Sequence, residues 1–313
     1  MQPVAVNLAP EIAPEKSDCS TPTPLPVHGA LHLRFRTTAR NGRPLTLVDT
    51  LAQTPPLQVV RSFRLADGGA LVHLHNVSGG VLGGDQLQTT VDVAAGARAQ
   101  LTTTGATRIY RQRAGYGAAE QELIAQIGPG ALLEVLPDPV IPYAGSAYRQ
   151  RTRFVLAEGA GLFAWDVIAP GRTAHGESFA YDQLAWETAV EVLTGDGVTP
   201  IAIERACLEP ARRPLTAAAR MGSFGYLATM YICRVGIAAT CWQTLERALH
   251  EIAAAHTAPQ EGWWGVSTLV AHGVVVRGLA STGRPLLAAL PEFWRVAKRI
   301  LYDEAAIPPR KVY

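Results

Sequence analysis

The chain has few cysteines and little excess charge of either sign among its 313 residues. Its four cysteines, at positions 19, 207, 233 and 241, form no CxxC pair, so neither a disulfide framework nor a zinc site of familiar spacing is predicted. The 28 basic and 26 acidic residues leave a net charge of +2, and no global field exists to attract nucleic acid or an anionic membrane. We therefore expect partners that are recognised locally.

Segments that would direct the chain into a membrane are also missing from the sequence. The N-terminus has no basic region followed by an apolar run, so no secretory signal is predicted. The most apolar late stretch, residues 221–241, is interrupted by Arg234 and by glycine and serine, which argues against a membrane span. The sequence therefore predicts a soluble, cytoplasmic protein.

Composition separates a proline-rich start from a folded remainder. Residues 1–28 contain prolines at positions 3, 10, 14, 22, 24 and 26 with few large apolar residues, which predicts a disordered tail. We expect a single domain over residues 29–313. Its strand-rich body covers 29–210, and a mixed helix and strand part covers 211–313.

Short segments with apolar residues at every second position dominate the body. Residues 31–36, LHLRFR, show the alternation of a half-buried strand. Further strands are predicted at 57–65, 70–77, 86–93, 98–104, 120–127, 131–136, 147–156, 161–168, 178–193 and 200–208. Apolar residues at helical spacing predict helices over 241–255 and 285–303, with a strand-like segment over 264–278 between them.

A weak repeat runs through the body, in which a turn glycine precedes a small residue and a strand. Its copies are DGGALV (67–72), AAGARAQL (94–101), GPGALLEV (128–135) and AEGAGLFA (157–164), with Gly69, Gly96, Gly130 and Gly159 in corresponding places. Each unit is long enough for two or three strands joined by tight turns. Stacked units predict a mainly β fold of solenoid-like strands with a few C-terminal helices, and coincidence among 29 glycines is the alternative.

Residues 78–85, SGGVLGGD, form the densest glycine cluster in the sequence. The segment lacks the Lys and the Ser or Thr of a Walker loop. A tight turn between strands, stabilised by Asp85, is therefore favoured over a phosphate site.

Histidines occur in two groups that are possible metal ligands. His73 and His75 form an HxH pair, which on a strand places both imidazoles on one face. No third ligand follows nearby, and Leu71 shares that face, so partly buried structural histidines are favoured over a metal site. His175 and Glu177 form a modest second donor group in a loop.

Two acidic residues lie inside apolar strands, where a charge is costly unless it is paired or bound to a cation. They are Glu134, in ALLEVLP, and Asp166, in LFAWDVI. The sequence favours ion pairs with the arginines of one strand face, Arg149, Arg151 and Arg153. A polar path through the interior that transiently holds a divalent cation is the alternative.

No nucleophile motif, HExxH motif or cofactor fingerprint is found in the sequence. The residues by themselves therefore predict a β-rich, non-catalytic protein with a few interior acids.

Four motifs resemble the UreD family of urease accessory proteins, also called UreH. They are GGVLGGD (79–85), LTTTGATRIYR (101–111), LEVLPDPVIPYAGSAYRQRTRFVLAEGAGLFAWDVIAPGR (133–172) and GESFAYD (176–182). They occur in the family's order, and the resemblance extends over residues 29–313. It does not cover the proline-rich start.

The resemblance implies a scaffold without catalytic activity that helps insert nickel into apo-urease. It implies a β-helical body and a complex with UreF, the GTPase UreG and the urease apoprotein, in which GTP enters only through UreG. Nickel would pass along an interior, water-filled route, with no cofactor tightly bound. The candidates for that route are Asp85, Glu134, Asp138, Asp166 and Glu177, supported by His73, His75 and His175. A metal-dependent hydrolase with an HxH-centred site is the alternative function.

Overall fold

The computed structural model of the chain describes residues 25–40 and 42–309. Most of the predicted tail, residues 1–24, lies outside this range, and the first strand begins at His28. The strands are β1 (His28–Arg40), β2 (Arg43–Thr54), β3 (Leu57–Gln58), β4 (Ser62–Arg64), β5 (Ala70–Asn76), β6 (Gln86–Val93), β7 (Arg98–Thr103), β8 (Thr107–Ile109), β9 (Ala119–Ile127), β10 (Leu132–Val135), β11 (Val140–Pro142), β12 (Ala147–Leu156), β13 (Gly161–Ile168), β14 (Gln183–Thr194), β15 (Gly197–Leu208), β16 (Tyr226–Arg234), β17 (Gly262–Thr268) and β18 (Gly273–Ala280). The helices are α1 (Ala239–His256) and α2 (Gly283–Tyr302), with a 3₁₀ turn at Thr173–His175.

The strands form two open sheets within the described residues. The first sheet has seven strands in the order β15-β14-β12-β9-β6-β1-β2. The second has eleven, with the main path β17-β18-β16-β13-β10-β7-β5-β3. The central strands of each sheet run parallel, from β1 through β14 in the first sheet and from β5 through β13 in the second. Hairpin-like antiparallel strands complete the sheets at their ends.

The predicted repeat is the structural unit that builds these sheets. Its four copies lead into β5, β7, β10 and β13, which lie side by side in the second sheet. In register, Leu133 pairs with Ala99 on one side and with Leu162 on the other. Between copies the chain crosses to the first sheet and returns. The mainly β, solenoid-like fold with C-terminal helices is therefore confirmed.

Glycine conformation explains the turns of the repeat. Three of the four predicted turn glycines have a positive φ: Gly96, Gly130 and Gly159. In the first copy this conformation belongs to Gly68, with φ of 84°, instead of Gly69. Successive turns also stack, since the backbone N–H of Gly130 donates to the carbonyl of Glu158 at 2.9 Å. Glycine meets the positive φ without steric cost.

Two apolar layers cover the second sheet, one on each face. On β13, Leu162 and Ala164 pack into the core between the sheets. Phe163 and Trp165 point the opposite way and pack beneath α1 and α2. Because both faces are covered, these strands read as nearly continuous apolar runs. The face of the sheet on which a side chain lies therefore decides which of the two apolar layers it joins.

The arginines of β12 lie exposed on the outer face of the first sheet; they are Arg149, Arg151 and Arg153. Arg149 pairs with Glu120 at 3.1 Å. Arg153 pairs with Glu191 at 2.8 Å. The predicted ion pairs of this ladder with Glu134 and Asp166 are wrong, because both acids belong to the second sheet, on the far side of the inter-sheet core.

Other differences from the sequence-based elements have local causes. Both predicted helices are present as α1 and α2, while the segment 264–278 is a hairpin of β17 and β18. The predicted strand over 57–65 is divided into β3 and β4, and that over 178–193 begins only at Gln183. Strand β16 was not predicted, because it is buried on both faces and so lacks alternation. Strand β2 was also missed; its second half is exposed on both faces.

Candidate functional site

A small cavity lined by both polar and apolar side chains lies within the core between the two sheets. Its volume is about 80 Å³, and its wall includes Asp138, Tyr148, Gln150, Asp166 and Tyr231. Side chains from both sheets therefore contribute to it. We call it the central cavity. Since one water needs only about 10–15 Å³ on this measure, the central cavity has room for several waters.

Two further cavities adjoin the central cavity. The larger, of about 240 Å³, is reached from the surface at the exposed residues Gly79, Thr104 and Gly105 and shares Thr103 and Gln121 with the central cavity. The smaller, of about 10 Å³, shares Gln150 and Asp166 with it. We call this row of three cavities the inter-sheet passage, and its surface opening the open mouth.

Asp166 is the carboxylate at the junction of the central and smallest cavities. It projects from the inner face of β13, and Gln150 Nε2 donates to its Oδ1 at 3.1 Å. Burial raises the pKa of the Asp166 carboxyl, the hydrogen bond from Gln150 lowers it, and the negative charge of Glu204 raises it. The net shift is upward. The ionised carboxylate is thus poorly stabilised where it stands, and a cation that arrived there would stabilise it.

Asp138 is the second carboxylate of the central cavity. It follows β10, and its position is set by a reciprocal contact with Thr103. The Thr103 hydroxyl donates to Asp138 Oδ2 at 2.9 Å, and the Asp138 backbone N–H donates back to Thr103 Oγ1 at 2.8 Å. Both residues line the cavity, so oxygen atoms face it from two strand ends of the second sheet.

Beyond Asp166, polar side chains continue toward the opposite surface. Tyr231 lines the central cavity, and its hydroxyl donates to Glu204 Oε2 at 2.6 Å. The same oxygen accepts a hydrogen bond from Arg277 at 3.0 Å. Register across β13, β16 and β18 places Asp166 beside Thr229 and Thr229 beside Arg277. Polar groups therefore extend from the open mouth to the far end of the inter-sheet core.

Glu134 lies on the other face of the second sheet and does not meet Asp166. Its Oε1 accepts hydrogen bonds from Lys298 Nζ and Trp294 Nε1, both at 2.9 Å. Its Oε2 accepts one from Gln100 at 2.8 Å. Glu134 and Lys298 are almost fully buried. This ion pair attaches α2 to β10, which is the physical reason that a charge is tolerated inside that strand.

Asp85 and Glu177 are held by contacts at the surface and in turns. The Oδ2 atom of Asp85 accepts the backbone N–H of Leu82 at 2.8 Å, which confirms the predicted turn-stabilising role. Glu177 forms an ion pair with Arg172 and also accepts the backbone N–H of Ala144 at 3.2 Å. The hydrogen bond from Arg172 is the main cause that lowers the pKa of Glu177 to about 2.

The three candidate histidines are separated from the inter-sheet passage. His73 is buried on the outer face of β5, where its ring meets that of Phe63 edge-on at 5.3 Å. Burial, and then the neighbouring His73, lower the pKa of His75. His175 is exposed in the 3₁₀ turn. None of them is among the residues that line the three cavities.

The carboxylates thus stand in series instead of forming a cage. Within residues 25–40 and 42–309, no three or more His, Cys, Asp or Glu side chains are grouped to hold a metal ion. Carboxylate, hydroxyl, amide and water oxygens can attract a divalent cation and release it again. The arrangement is suited to passing a cation along more than to retaining one.

Sequence reasoning did not find Gln150 and Tyr231, which line the central cavity, or Glu204, which accepts the hydrogen bond of Tyr231. Each occupies a core-facing position of a strand. A polar residue at such a position of an alternating strand is a usable signal, since it must be hydrogen-bonded or face water. Glu204 shows it in IAIERACL, where it follows Ile201 and Ala202 on the inner face.

No helix of the described residues combines the length and apolar character needed to cross a membrane.

Comparison with known proteins agrees with the motifs. A family model described as UreD urease accessory protein matches residues 27–313. A urease accessory protein UreD from Herpetosiphon aurantiacus is 48% identical over 287 residues, which is 92% of this chain and 97% of the relative. The UreD protein of Deinococcus radiodurans is 32% identical over 284 residues, 90% of this chain and 94% of the relative. The UreD protein of Opitutus terrae is 31% identical over 263 residues, which is 83% of this chain and 94% of the relative.

These matches extend over the sandwich, its inter-sheet passage and both C-terminal helices, and they confirm the predicted resemblance. The chain belongs to the UreD family of urease accessory proteins.

Proposed function

We propose that this protein is a scaffold for urease maturation that passes nickel to apo-urease through the inter-sheet passage. The observation that carries the proposal is a row of cavities with two carboxylates, Asp138 and Asp166, in the core between the two sheets. Carboxylates in a core are costly and persist where they are paired or have a task. Asp166 forms no ion pair within 4.0 Å with any of the described residues, and the amide of Gln150 is its hydrogen-bond donor there.

The chemistry of the lining suits transit of a divalent ion. Nickel is borderline in softness and accepts oxygen ligands, which bind it more weakly than a set of thiolates or imidazoles would. Waters in the central cavity would keep part of the hydration shell in place, which lowers the cost of entering the core. A tight, complete site would trap the ion, whereas two separated carboxylates lower its free energy at two successive points.

In this proposal the other candidate residues have structural roles. Glu134 attaches α2, Asp85 closes the glycine-rich turn, and Glu177 secures its loop through Arg172. The two histidines of β5 lie on the outer face of the second sheet. The proposed route therefore narrows from eight candidates to Asp138 and Asp166.

Transfer of nickel through a passage needs one protein that supplies the ion at one end and another that receives it at the other end. We propose that the protein acts in the cytoplasm in a complex with UreF and UreG and docks on the urease apoprotein. Nickel is then cargo, no cofactor is resident, and GTP binds only to UreG. The protein contributes position and a path, with no catalysis of its own.

The first experiment compares cells that carry the whole urease cluster with and without this gene. We expect urease without nickel when the gene is absent and restored nickel content and activity on complementation. Fully metallated, active urease in its absence would contradict the maturation role.

The route is tested by single substitutions in the same cells. Asp166→Asn and Asp138→Asn should lower the nickel content of purified urease while the complex still assembles, because the neutral amide attracts the ion less. Asp92→Asn is the matched control, since Asp92 pairs with His32 on the outer face of the first sheet at 2.8 Å. Equal nickel content in all three variants would exclude the passage as the route.

A further inference from the structure

On the side of β16, three side chains lead from the wall of the central cavity to the surface. Tyr231 is 4% exposed and forms the wall of the central cavity on that side. Its hydroxyl is bound to Glu204, whose side chain is 19% exposed, and Glu204 is bound to Arg277, which is 48% exposed. Exposure therefore rises steadily from the cavity wall to the surface along this chain of contacts.

Arg277 is the most exposed member of this group. Its guanidinium meets Glu204 at the surface end of the core, and half of its side chain is already in solvent. An exposed ion pair of this kind contributes little to stability, so the arginine can leave Glu204 at little cost. Tyr231 is different, because it is buried and packs in the inter-sheet core. Its hydroxyl depends on Glu204 for a partner.

The charges of Glu204, Asp166 and Arg277 indicate how an arriving cation would act on this group. Glu204 is close enough to Asp166 for its negative charge to act on that carboxyl. The carboxylates of Asp166 and Glu204 thus stand near the exposed guanidinium of Arg277. A divalent ion that reached Asp166 from the central cavity would compete with Arg277 for Glu204, and the ion would carry twice the charge of the guanidinium.

We propose that Tyr231, Glu204 and Arg277 form a second, closed mouth of the passage, in which Arg277 is a tethered cation that yields its place on Glu204 to a divalent ion. The identity of that ion as nickel rests on the proposed function. The closure itself rests only on the contacts described. The passage then has an open mouth for entry and a gated one for exit, between β15 and β18.

Cysteine labelling tests the closure directly in the full chain. The starting variant carries Cys19→Ser, Cys207→Ser and Cys241→Ser. Cys233 is kept, because it is fully buried and burial raises the pKa of its thiol to about 12. Thr188→Cys then places a probe in the central cavity, on the residue that pairs with Glu204 across β14 and β15. The reagent is a small cationic thiosulfonate. Entry through the open mouth is common to every variant, so a faster labelling rate reports the second mouth.

We expect Tyr231→Phe to speed labelling of the cysteine at 188 by about tenfold, the effect of losing one charge-assisted hydrogen bond on a closed-to-open equilibrium. Arg277→Gln should speed it less, by about two- to fivefold, because the ion pair of Arg277 is exposed and weak. Arg205→Gln is the matched control, because Arg205 pairs with Glu187 at 2.9 Å on the outer face of the same strand. That variant should leave the rate unchanged.

Two results would overturn the closed mouth. One is an unchanged labelling rate in both Arg277→Gln and Tyr231→Phe. The other is an equal acceleration at a cysteine placed at Thr104, by the open mouth, since that would indicate general loosening. The assay contains neither nickel nor urease. A negative result would therefore exclude the closed mouth and would not bear on nickel delivery, which the urease experiments test separately.

Discussion

The ion pair of Glu134 and Lys298 lies on the face of the second sheet that the helices cover. It tests whether Glu134 stabilises the fold and has no part in the nickel route. Lys298 is 1% exposed, and its ammonium lies 2.9 Å from Glu134 Oε1. Asp67 is the other carboxylate nearby, at 3.8 Å, beyond hydrogen-bond distance. Lys298→Met removes the cation and keeps much of the volume, while Glu134→Gln removes the anion and keeps the shape.

Removing one partner of a buried pair leaves the other charge without compensation, which costs about 3–5 kcal/mol. Lys298→Met should fall in this range, because the Glu134 carboxylate would keep only neutral donors. Glu134→Gln should cost less. The new amide oxygen can still accept from Trp294 and Lys298, and Gln100 Oε1, which has no hydrogen-bond partner within the described residues, can turn to accept the new NH₂ group.

The double variant Glu134→Gln with Lys298→Met removes both charges together. Its cost should be smaller than the sum of the two single costs by about 2 kcal/mol or more, because neither charge is left alone. Urea denaturation of the full chain, followed by tryptophan fluorescence and circular dichroism, measures all four free energies of unfolding. Thermal midpoints should fall by about 6–10 °C in Lys298→Met.

Strictly additive costs in the double variant would refute the buried-pair reasoning. A second readout separates stability from the nickel route. Urease from cells that carry the double variant should contain nickel at the wild-type level once the protein accumulates normally. If urease lost nickel while the double variant accumulated normally, Glu134 would again be a candidate for the nickel route.

Three further predictions concern packing, proton linkage and the N-terminus. Gly161→Ala should lower the thermal midpoint, because its Cβ would overlap the hydroxyl of Tyr302. Tyr302→Phe in the same chain should restore part of the loss, and no recovery would contradict the contact. The pKa of Asp166 is raised, so the stability that its protonation supplies is present below the unfolded-state pKa and lost as the pH rises through the folded-state pKa. Asp166→Asn should therefore raise the free energy of unfolding near pH 7 and leave it unchanged in acid, as urea titrations at both pH values would measure; equal gains at both would refute the linkage. Deleting residues 1–24 should leave urease activation intact, since their composition offers little to pack, whereas a cut through Val27 would remove its backbone N–H bond to Asp85; inactive urease after the shorter deletion would reject this.

Prediction from the sequence succeeded where the signal was local. Turn glycines before β7, β10 and β13 carry the positive φ that the repeat required, and alternation located most strands. It failed at β16, where apolar residues face both layers and no period of two remains. For the site, Asp138 and Asp166 were both named among the candidates and do line the passage. Glu204 and Tyr231 were missed, because their importance depends on which neighbours the fold brings to them.

The sequence by itself determined that the chain builds stacked β units, that two helices follow them, and that four motifs link it to its family. It also identified Glu134 and Asp166 as acids in apolar surroundings. Only the tertiary structure decided that these two acids belong to different layers, one beneath α2 and one facing the inter-sheet core. The physical reason is that both faces of the parallel strands are buried. Alternation along a strand then tells which residues share a face, while only the packing of the first sheet and the helices determines what each face meets.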